Sequence, residues 1–248
     1  MSFNVNADAY DSFMGRYSVK LAPQMAELAG IEPGRRVLDV GCGPGALTAE
    51  LVARGATVSA VDPSPPFVEA ARKRYPDVDV QQATAEELPF EDHEFDATLA
   101  QLVVHFMPDP LNGIQEMARV TRHGGVVAAS VWDLVGEQAP LSPFWRAARE
   151  LDPSVEGENR AGAGEGQLRE LFTRAGLNDV QETAQTVRVE HTTFDEWWTP
   201  YTLGVGPAGQ HYQQLDADKQ KALAERLREQ LGEPVQLETR AWAARGTV

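Results

Sequence analysis

Short apolar runs separated by helix-length amphipathic stretches set the rhythm of the first half of the chain. Val37, Leu38 and Val40 make the first run, and Arg36–Val40 predicts a short buried strand rich in β-branched and leucine side chains. Comparable runs predict strands over 56–61, 78–82, 94–99 and 126–132. Between them the pattern predicts helices over 18–29, 46–53, 64–74 and 109–120. The first of these places Leu21, Met25 and Leu28 on one face and stops at Gly30. Its Pro23 lies early, where a missing N–H does little harm. Strand and helix alternate, which argues for a parallel sheet covered by helices. The continuous apolar runs fit strands buried on both faces.

The pattern changes after Trp132. Residues 133–166 mix Pro, Gly, Glu and aromatics around a short helix at 143–150, an excursion above the sheet. A helix over 165–175 stops at Gly176, and 177–189 is strand-like. Residues 192–201 carry adjacent Trp197 and Trp198, and 204–209 predicts a loop. A charged amphipathic helix over 216–231 has Asp216 as its cap and Gly232 as its end. Residues 233–248 close the chain as a strand, a candidate sheet edge open to a second chain. At the other end, residues 1–6 have no pattern, whereas Tyr10, Phe13, Met14 and Tyr17 cluster around Gly15 and Arg16.

Composition narrows the function classes. The 248 residues are 42% hydrophobic and 24% charged, enough for one large core or a core with a cap. With 22 basic and 37 acidic residues the formal charge is −15, which disfavours nucleic acid as a general partner. The single Cys42 excludes an internal disulfide framework and a cysteine-rich metal site. No His, Asp or Glu grouping has metal-ligand spacing, so no metal is implied. There is no apolar run of membrane-spanning length and no basic-then-apolar leader, so the expectation is a cytoplasmic protein with no membrane partner.

The candidate chemistry begins where the first strand ends. Gly41, Gly43 and Gly45 alternate, letting the backbone turn sharply and approach a ligand where a Cβ would intrude. The spacing differs from the dinucleotide fingerprint, and no Lys-Ser/Thr pair makes it a phosphate loop. Asp39 just before the turn would repel a pyrophosphate, so a neutral or cationic ligand suits it better. Asp62, 21 residues after Gly41, ends the second strand, where a carboxylate can accept from a ribose diol. Ala85 and Glu86 lie where a loop would flank a flat base.

These residues resemble class I S-adenosylmethionine-dependent methyltransferases, more narrowly the small-molecule branch of the ubiquinone/menaquinone-biosynthesis type. The likeness is strong over residues 36–132. It implies a Rossmann-like three-layer α/β sandwich whose seven-stranded, mostly parallel sheet has the order 3-2-1-4-5-7-6, with strand 7 antiparallel. One domain over 1–248 would carry an N-terminal lid at 1–30 and substrate-cap segments at about 134–166 and 192–232. The cofactor implied is S-adenosyl-L-methionine, with S-adenosyl-L-homocysteine as product. Its implied contacts are Tyr17, Asp39, Gly41, Cys42, Gly43, Gly45, Asp62, Pro63, Thr84, Ala85, Glu86 and Gln101. Thr84 departs from the pattern, since the family usually has Asp there; Glu86 is the alternative adenine partner.

On the acceptor side, His105 follows the fourth strand and is the candidate base, its ordinary pKa of about 6.5 suiting proton removal from an enol or phenol. Capping or packing is its competing role. Tyr10, Phe13, Met14, Trp132, Trp145, Trp197, Trp198 and Tyr201 are candidates for an apolar pocket wall, against core packing. The expected function is methyl transfer to the O, C or N of a small, partly apolar or aromatic metabolite, by a monomer or homodimer. The alternatives are a non-catalytic cofactor-binding regulator, a protein methyltransferase and a nicotinamide-dependent oxidoreductase. No Asn-Pro-Pro-aromatic segment follows the fourth strand, which argues against a nucleobase target.

Overall fold

The computed structural model describes residues 10–156, 160–204 and 206–248; residues 1–6 and the start of the expected lid lie outside them. The described strands are β1 (Arg36–Val40), β2 (Thr57–Asp62), β3 (Asp79–Gln82), β4 (Phe95–Gln101), β5 (Thr121–Trp132), β6 (Asn178–His191) and β7 (Val235–Thr247). They form a seven-stranded sheet of order β3-β2-β1-β4-β5-β7-β6. The pairs β2–β3, β1–β2, β1–β4 and β4–β5 are parallel, while β7 runs antiparallel to both β5 and β6. The expected order and the mostly parallel character are both found.

The terminal strand corrects one expectation. β7 is not an edge: its residues 241–247 lie between β5 and β6, residues 235–240 pair with β6, and β3 and β6 are the edges. Its closing residue also explains why β5 starts earlier than its apolar run. Gly124 N–H donates to the Val248 carbonyl, and Val248 N–H donates to Gly125, so the polar stretch before Val126 is drawn into the sheet.

The helices are α1 (Arg16–Leu28), α2 (Ala46–Ala53), α3 (Pro65–Arg74), α4 (Pro110–Val120), α5 (Ser142–Leu151), α6 (Gln167–Arg174), α7 (Phe194–Thr202), α8 (Gly206–Gln214) and α9 (Ala217–Leu231). A π-helical turn, Asp11–Gly15, leads into α1. Prolines in the first turns of α3, α4 and α5 fit positions whose N–H has no helical partner. Asp109, Thr193 and Asp216 cap α4, α7 and α9 through side-chain oxygens that accept backbone N–H groups.

Alternation along the strands divides the core into two layers. Val37 and Leu99 belong with Leu21, Met25 and Leu51 on one face; Leu38 and Ala100 belong with Ile114, Met117 and Phe172 on the other. The first layer continues upward into a cap built from α5, α7, α8 and α9. There Phe144 stacks on Tyr201 with ring centroids 5.1 Å apart and planes 6° from parallel. The cap therefore shares a core with the sheet and stands over the C-terminal ends of its central strands.

Candidate active site

The order of the sheet reverses between β1 and β4, and a crevice opens beyond the C-terminal ends of strands at such a switch point. The glycine turn fills its floor. Gly41, Gly43 and Gly45 have φ of 70°, 54° and 103°, values that favour glycine. A Cβ on Gly41 would stand 2.5 Å from Val103, and one on Gly45 would stand 2.4 Å from Tyr75. Gly41 and Cys42 N–H groups both donate to the Val61 carbonyl, at 2.7 and 2.9 Å, pinning the turn to the end of β2.

Asp62 locks the same junction. Its Oδ2 accepts from Gly43 N–H and its Oδ1 from Ser64 N–H, each at 2.8 Å. Burial raises its pKa, and these two bonds oppose the rise. Asp39 lies behind the turn, 1% exposed, with the Thr48 hydroxyl donating to it at 2.6 Å. Burial pushes its pKa up to about 7; Thr48 opposes the shift and the nearby Asp62 adds to it. Burial likewise raises the Cys42 thiol, with Asp39 and Asp62 adding to the effect, so it is no thiolate nucleophile.

A cavity of about 310 Å³ lies against the turn. Gly41, Gly43, Asp62, Pro63, Thr84, Ala85, Glu86 and Gln101 all line it, as does Tyr10. Tyr17, Asp39, Cys42 and Gly45 do not: Asp39, Cys42 and Gly45 support the turn from behind, and Tyr17 lies further toward the cap. Glu86 is partly committed, since its Oε1 accepts from Asp109 N–H at 3.3 Å.

Gln101 tests whether a nucleoside with a methionyl tail fits this cavity. Its Nε2 donates to the Ser18 carbonyl at 3.0 Å, whereas its buried Oε1 has no partner among the described residues. An orphaned buried acceptor on a cavity wall calls for a donor from a ligand. The carboxylate of Asp62, still with lone pairs to offer, calls for hydroxyls. An ammonium group and a ribose diol are such donors, so the residues fit.

A second cavity of about 60 Å³ adjoins the first. Tyr10, Leu102 and Phe106 line both and form the partition. Leu102 has φ of 63°, a costly conformation for a leucine, and its N–H donates to Ser130 at 2.9 Å. Phe13, Met14, His105 and Trp132 line the second cavity, together with Arg160. His105 is half-buried, but its Nδ1 is sealed and has no hydrogen-bond partner among the described residues. Burial, and then the charge of Arg160, depresses its pKa to about 3. The imidazole is therefore neutral near pH 7 and a weak base.

The remaining aromatics divide. Trp197 and Tyr201 line a smaller cavity of about 10 Å³ beside Tyr17 and His191, while Trp145 and Trp198 line none of these three cavities and pack within the cap. The sequence reading missed Leu102, Phe106 and Arg160 as site residues. Leu102 lies between the candidates Gln101 and His105 and Phe106 directly follows His105, whereas Arg160 carries no sequence signal. Over the mouth, Tyr10 meets Phe67 edge-on at 5.4 Å, and Asp11 pairs with Arg74 at 2.7 Å. Arg74 also donates to the Pro44 carbonyl at 3.2 Å, joining the N-terminal turn to the glycine turn.

Residues 38–129 match the family described as methyltransferase domain. Uncharacterized protein Mb1438c of Mycobacterium bovis is 30% identical over 209 residues, covering 82% of this chain and 76% of that protein. The chain belongs to the class I S-adenosylmethionine-dependent methyltransferase superfamily. Uncharacterized protein Rv1405c of Mycobacterium tuberculosis is 33% identical over 182 residues, and that alignment takes in 67% of this methyltransferase-family chain but 66% of the relative's length. The YcgJ protein of Bacillus subtilis shares the fold with a TM-score of 0.60 at 21% identity, covering 94% of this chain and 98% of that one. The family match runs from β1 to β5, so it spans the glycine turn, Asp62, Leu102 and Phe106 but stops short of Tyr10, Arg160 and the cap. Among the described residues, no group of His, Cys, Asp and Glu is placed to hold a metal, and no helix is long and apolar enough to cross a membrane.

Proposed function

We propose that this protein binds S-adenosyl-L-methionine in the larger cavity and transfers its methyl group to a small, partly apolar metabolite in the smaller one. The observation that carries the reading is the pair of adjoining cavities with a common wall, one bordered by the glycine turn and Asp62, the other apolar. Bound there, the cofactor supplies a sulfonium methyl already activated for displacement. The protein holds donor and acceptor in line and excludes water, contributions worth about 7 to 11 kcal/mol in well-oriented systems. Asp62 takes the ribose hydroxyls, Gln101 Oε1 the methionyl ammonium, and Thr84 to Glu86 flank the base. Tyr10 and the turn after it act as a lid, and α5, α7, α8 and α9 cap the acceptor. His105 faces the acceptor as a neutral imidazole, so as a base it serves only acidic acceptors. The finer likeness to the ubiquinone/menaquinone-type branch rests on motif wording alone; the family match is to the general domain.

Calorimetric titration with S-adenosylhomocysteine and with NAD is the test. Tight binding of the first and none of the second is expected. Asp62→Ala should weaken binding by about 10²- to 10⁴-fold, the loss of two charge-assisted hydrogen bonds at about 1.5–3 kcal/mol each. Unchanged affinity in that variant would sink the assignment. Tight binding without turnover on any metabolite would favour the regulatory alternative.

A further inference from the structure

The two ring nitrogens of His105 have different surroundings. Nδ1 is sealed and has no hydrogen-bond partner among the described residues. Nε2 makes no hydrogen bond among them either, but it is not sealed, and the half-buried residue lines the smaller cavity. Nε2 is therefore the nitrogen that a ligand can reach. The imidazole lies against the Phe106 ring, with centroids 4.0 Å apart and planes 42° from parallel, so it stands beside the partition between the cavities. A neutral imidazole carries one hydrogen, and its two nitrogens divide the roles of donor and acceptor. With the hydrogen on Nδ1, a sealed N–H would have no acceptor, an omission that folded proteins rarely tolerate. With the hydrogen on Nε2, the sealed atom is a bare lone pair, the milder omission. The imidazolium also needs a hydrogen on Nδ1, in line with a pKa that burial, and then the charge of Arg160, hold down.

We infer that His105 serves the acceptor as a hydrogen-bond donor and not as a base, its Nε2–H holding the oxygen of a small aromatic carbonyl compound beside the partition. This rests on the reading of the smaller cavity as the acceptor site. Tyr10, Phe13, Phe106 and Trp132 also line that cavity, and their rings suit a flat apolar body. A carbonyl oxygen offers lone pairs and no hydrogen, so it complements a fixed donor. A phenol or enol that had to lose its proton here would need a lone pair on Nε2, which this tautomer does not have. An ammonium group has no lone pair and would set donor against donor. The bond is one of recognition: it sets how the acceptor lies against the partition, and no proton changes hands.

Two measurements test this. Nitrogen chemical shifts of isotope-labelled histidines, assigned by comparison with His105→Gln, should show His105 neutral at pH 7 with its hydrogen on Nε2. The protein saturated with S-adenosylhomocysteine is then titrated by calorimetry with acetophenone and with ethylbenzene, which has a methylene in place of the carbonyl. Acetophenone should bind about 3- to 10-fold more tightly, the net worth of one hydrogen bond. His105→Gln, whose amide still offers an N–H, should keep part of that preference, and His105→Leu should make the two affinities equal; S-adenosylhomocysteine affinity reports whether each variant is folded. A hydrogen on Nδ1, equal affinity for the two probes, no binding of acetophenone, or a preference that survives His105→Leu would each overturn the inference. Failure of S-adenosylhomocysteine to bind the parent protein would instead overturn the donor reading, and the histidine shifts would still decide the tautomer.

Discussion

Asp39 shows how one buried residue couples the site to pH. Its carboxyl is 1% exposed and titrates near 7, because burial outweighs the Thr48 hydrogen bond. In the unfolded chain the same group titrates near 3.9. Between these values the folded state keeps a proton that the unfolded state releases. Stability from this group is thus full below about pH 4 and is lost as pH rises toward 7, at up to about 1.4 kcal/mol per pH unit. Asp39→Asn removes the dependence. Thermal melts from pH 4.5 to 7.5 should show the variant gaining on the parent as pH rises and holding a constant margin above 7. Parallel curves would contradict the assignment. A cation bound beside Asp39 and Asp62 favours their charged forms, so the same residue makes donor binding release protons near neutrality.

Elements differ in how openly the sequence declared them. β1 and α2 match expectation because local signals agree: an apolar run, a glycine turn and an apolar helix follow one another without interruption. The loop expected over 204–209 overlaps the start of α8, and its three glycines, Gly204, Gly206 and Gly209, have different roles. Two of them turn the chain: Gly204 and Gly206 take positive φ before and at the start of the helix. Gly209 serves packing instead, for a Cβ there would stand 2.6 Å from the backbone of Gly204. A glycine needed for close approach looks the same in sequence as one needed for a turn. Part of the lining of the larger cavity was legible for a related reason, because Gly41, Gly43, Asp62 and Thr84–Glu86 sit at or after strand ends in order. Arg160 reaches the smaller cavity only through tertiary folding, from a stretch with no periodic pattern. The N-terminal turn gives this scale its prediction. Arg74 ties it to the rest by an ion pair to Asp11 and a bond to the Pro44 carbonyl, contacts worth about 1–2 kcal/mol together. Arg74→Ala should raise the donor dissociation rate about 3- to 30-fold in stopped-flow displacement. A rate unchanged within twofold would remove the turn from any gating role.

At the scale of the whole molecule, acid stability is a contest between buried groups of opposite sign. His191 joins the end of β6 to α1: Arg16 donates to its Nδ1 at 2.9 Å, so its Nε2 carries the hydrogen and donates to the Tyr17 hydroxyl at 3.2 Å. Arg16 also pairs with Glu196 of α7 at 2.8 Å, so this network fastens sheet, first helix and cap together. A proton on Nδ1 would face the guanidinium. Burial first, and then Arg16, hold the pKa of His191 to about 4, against the opposing pull of Glu196. His105 is depressed further, to about 3. Both histidines titrate near 6.5 when unfolded. Their contribution is complete above pH 6.5 and is lost as pH falls, because the unfolded chain then takes up protons that the folded state refuses. From pH 6.5 down to about 4.5 each costs up to about 1.4 kcal/mol per pH unit, while Asp39 returns a similar amount. On acidification the two histidines therefore act against the two buried aspartates, Asp39 and Asp62, whose pKa values burial raises. His191→Gln keeps an acceptor for Arg16 and a donor for Tyr17 but cannot titrate. Its denaturation midpoint should gain on the parent's as pH falls from 6.5 to 4.5, and adding Asp39→Asn should cancel the gain. A single variant with the parent's slope would show that the network tolerates a charged His191, and that the junction of sheet and cap opens before the fold does.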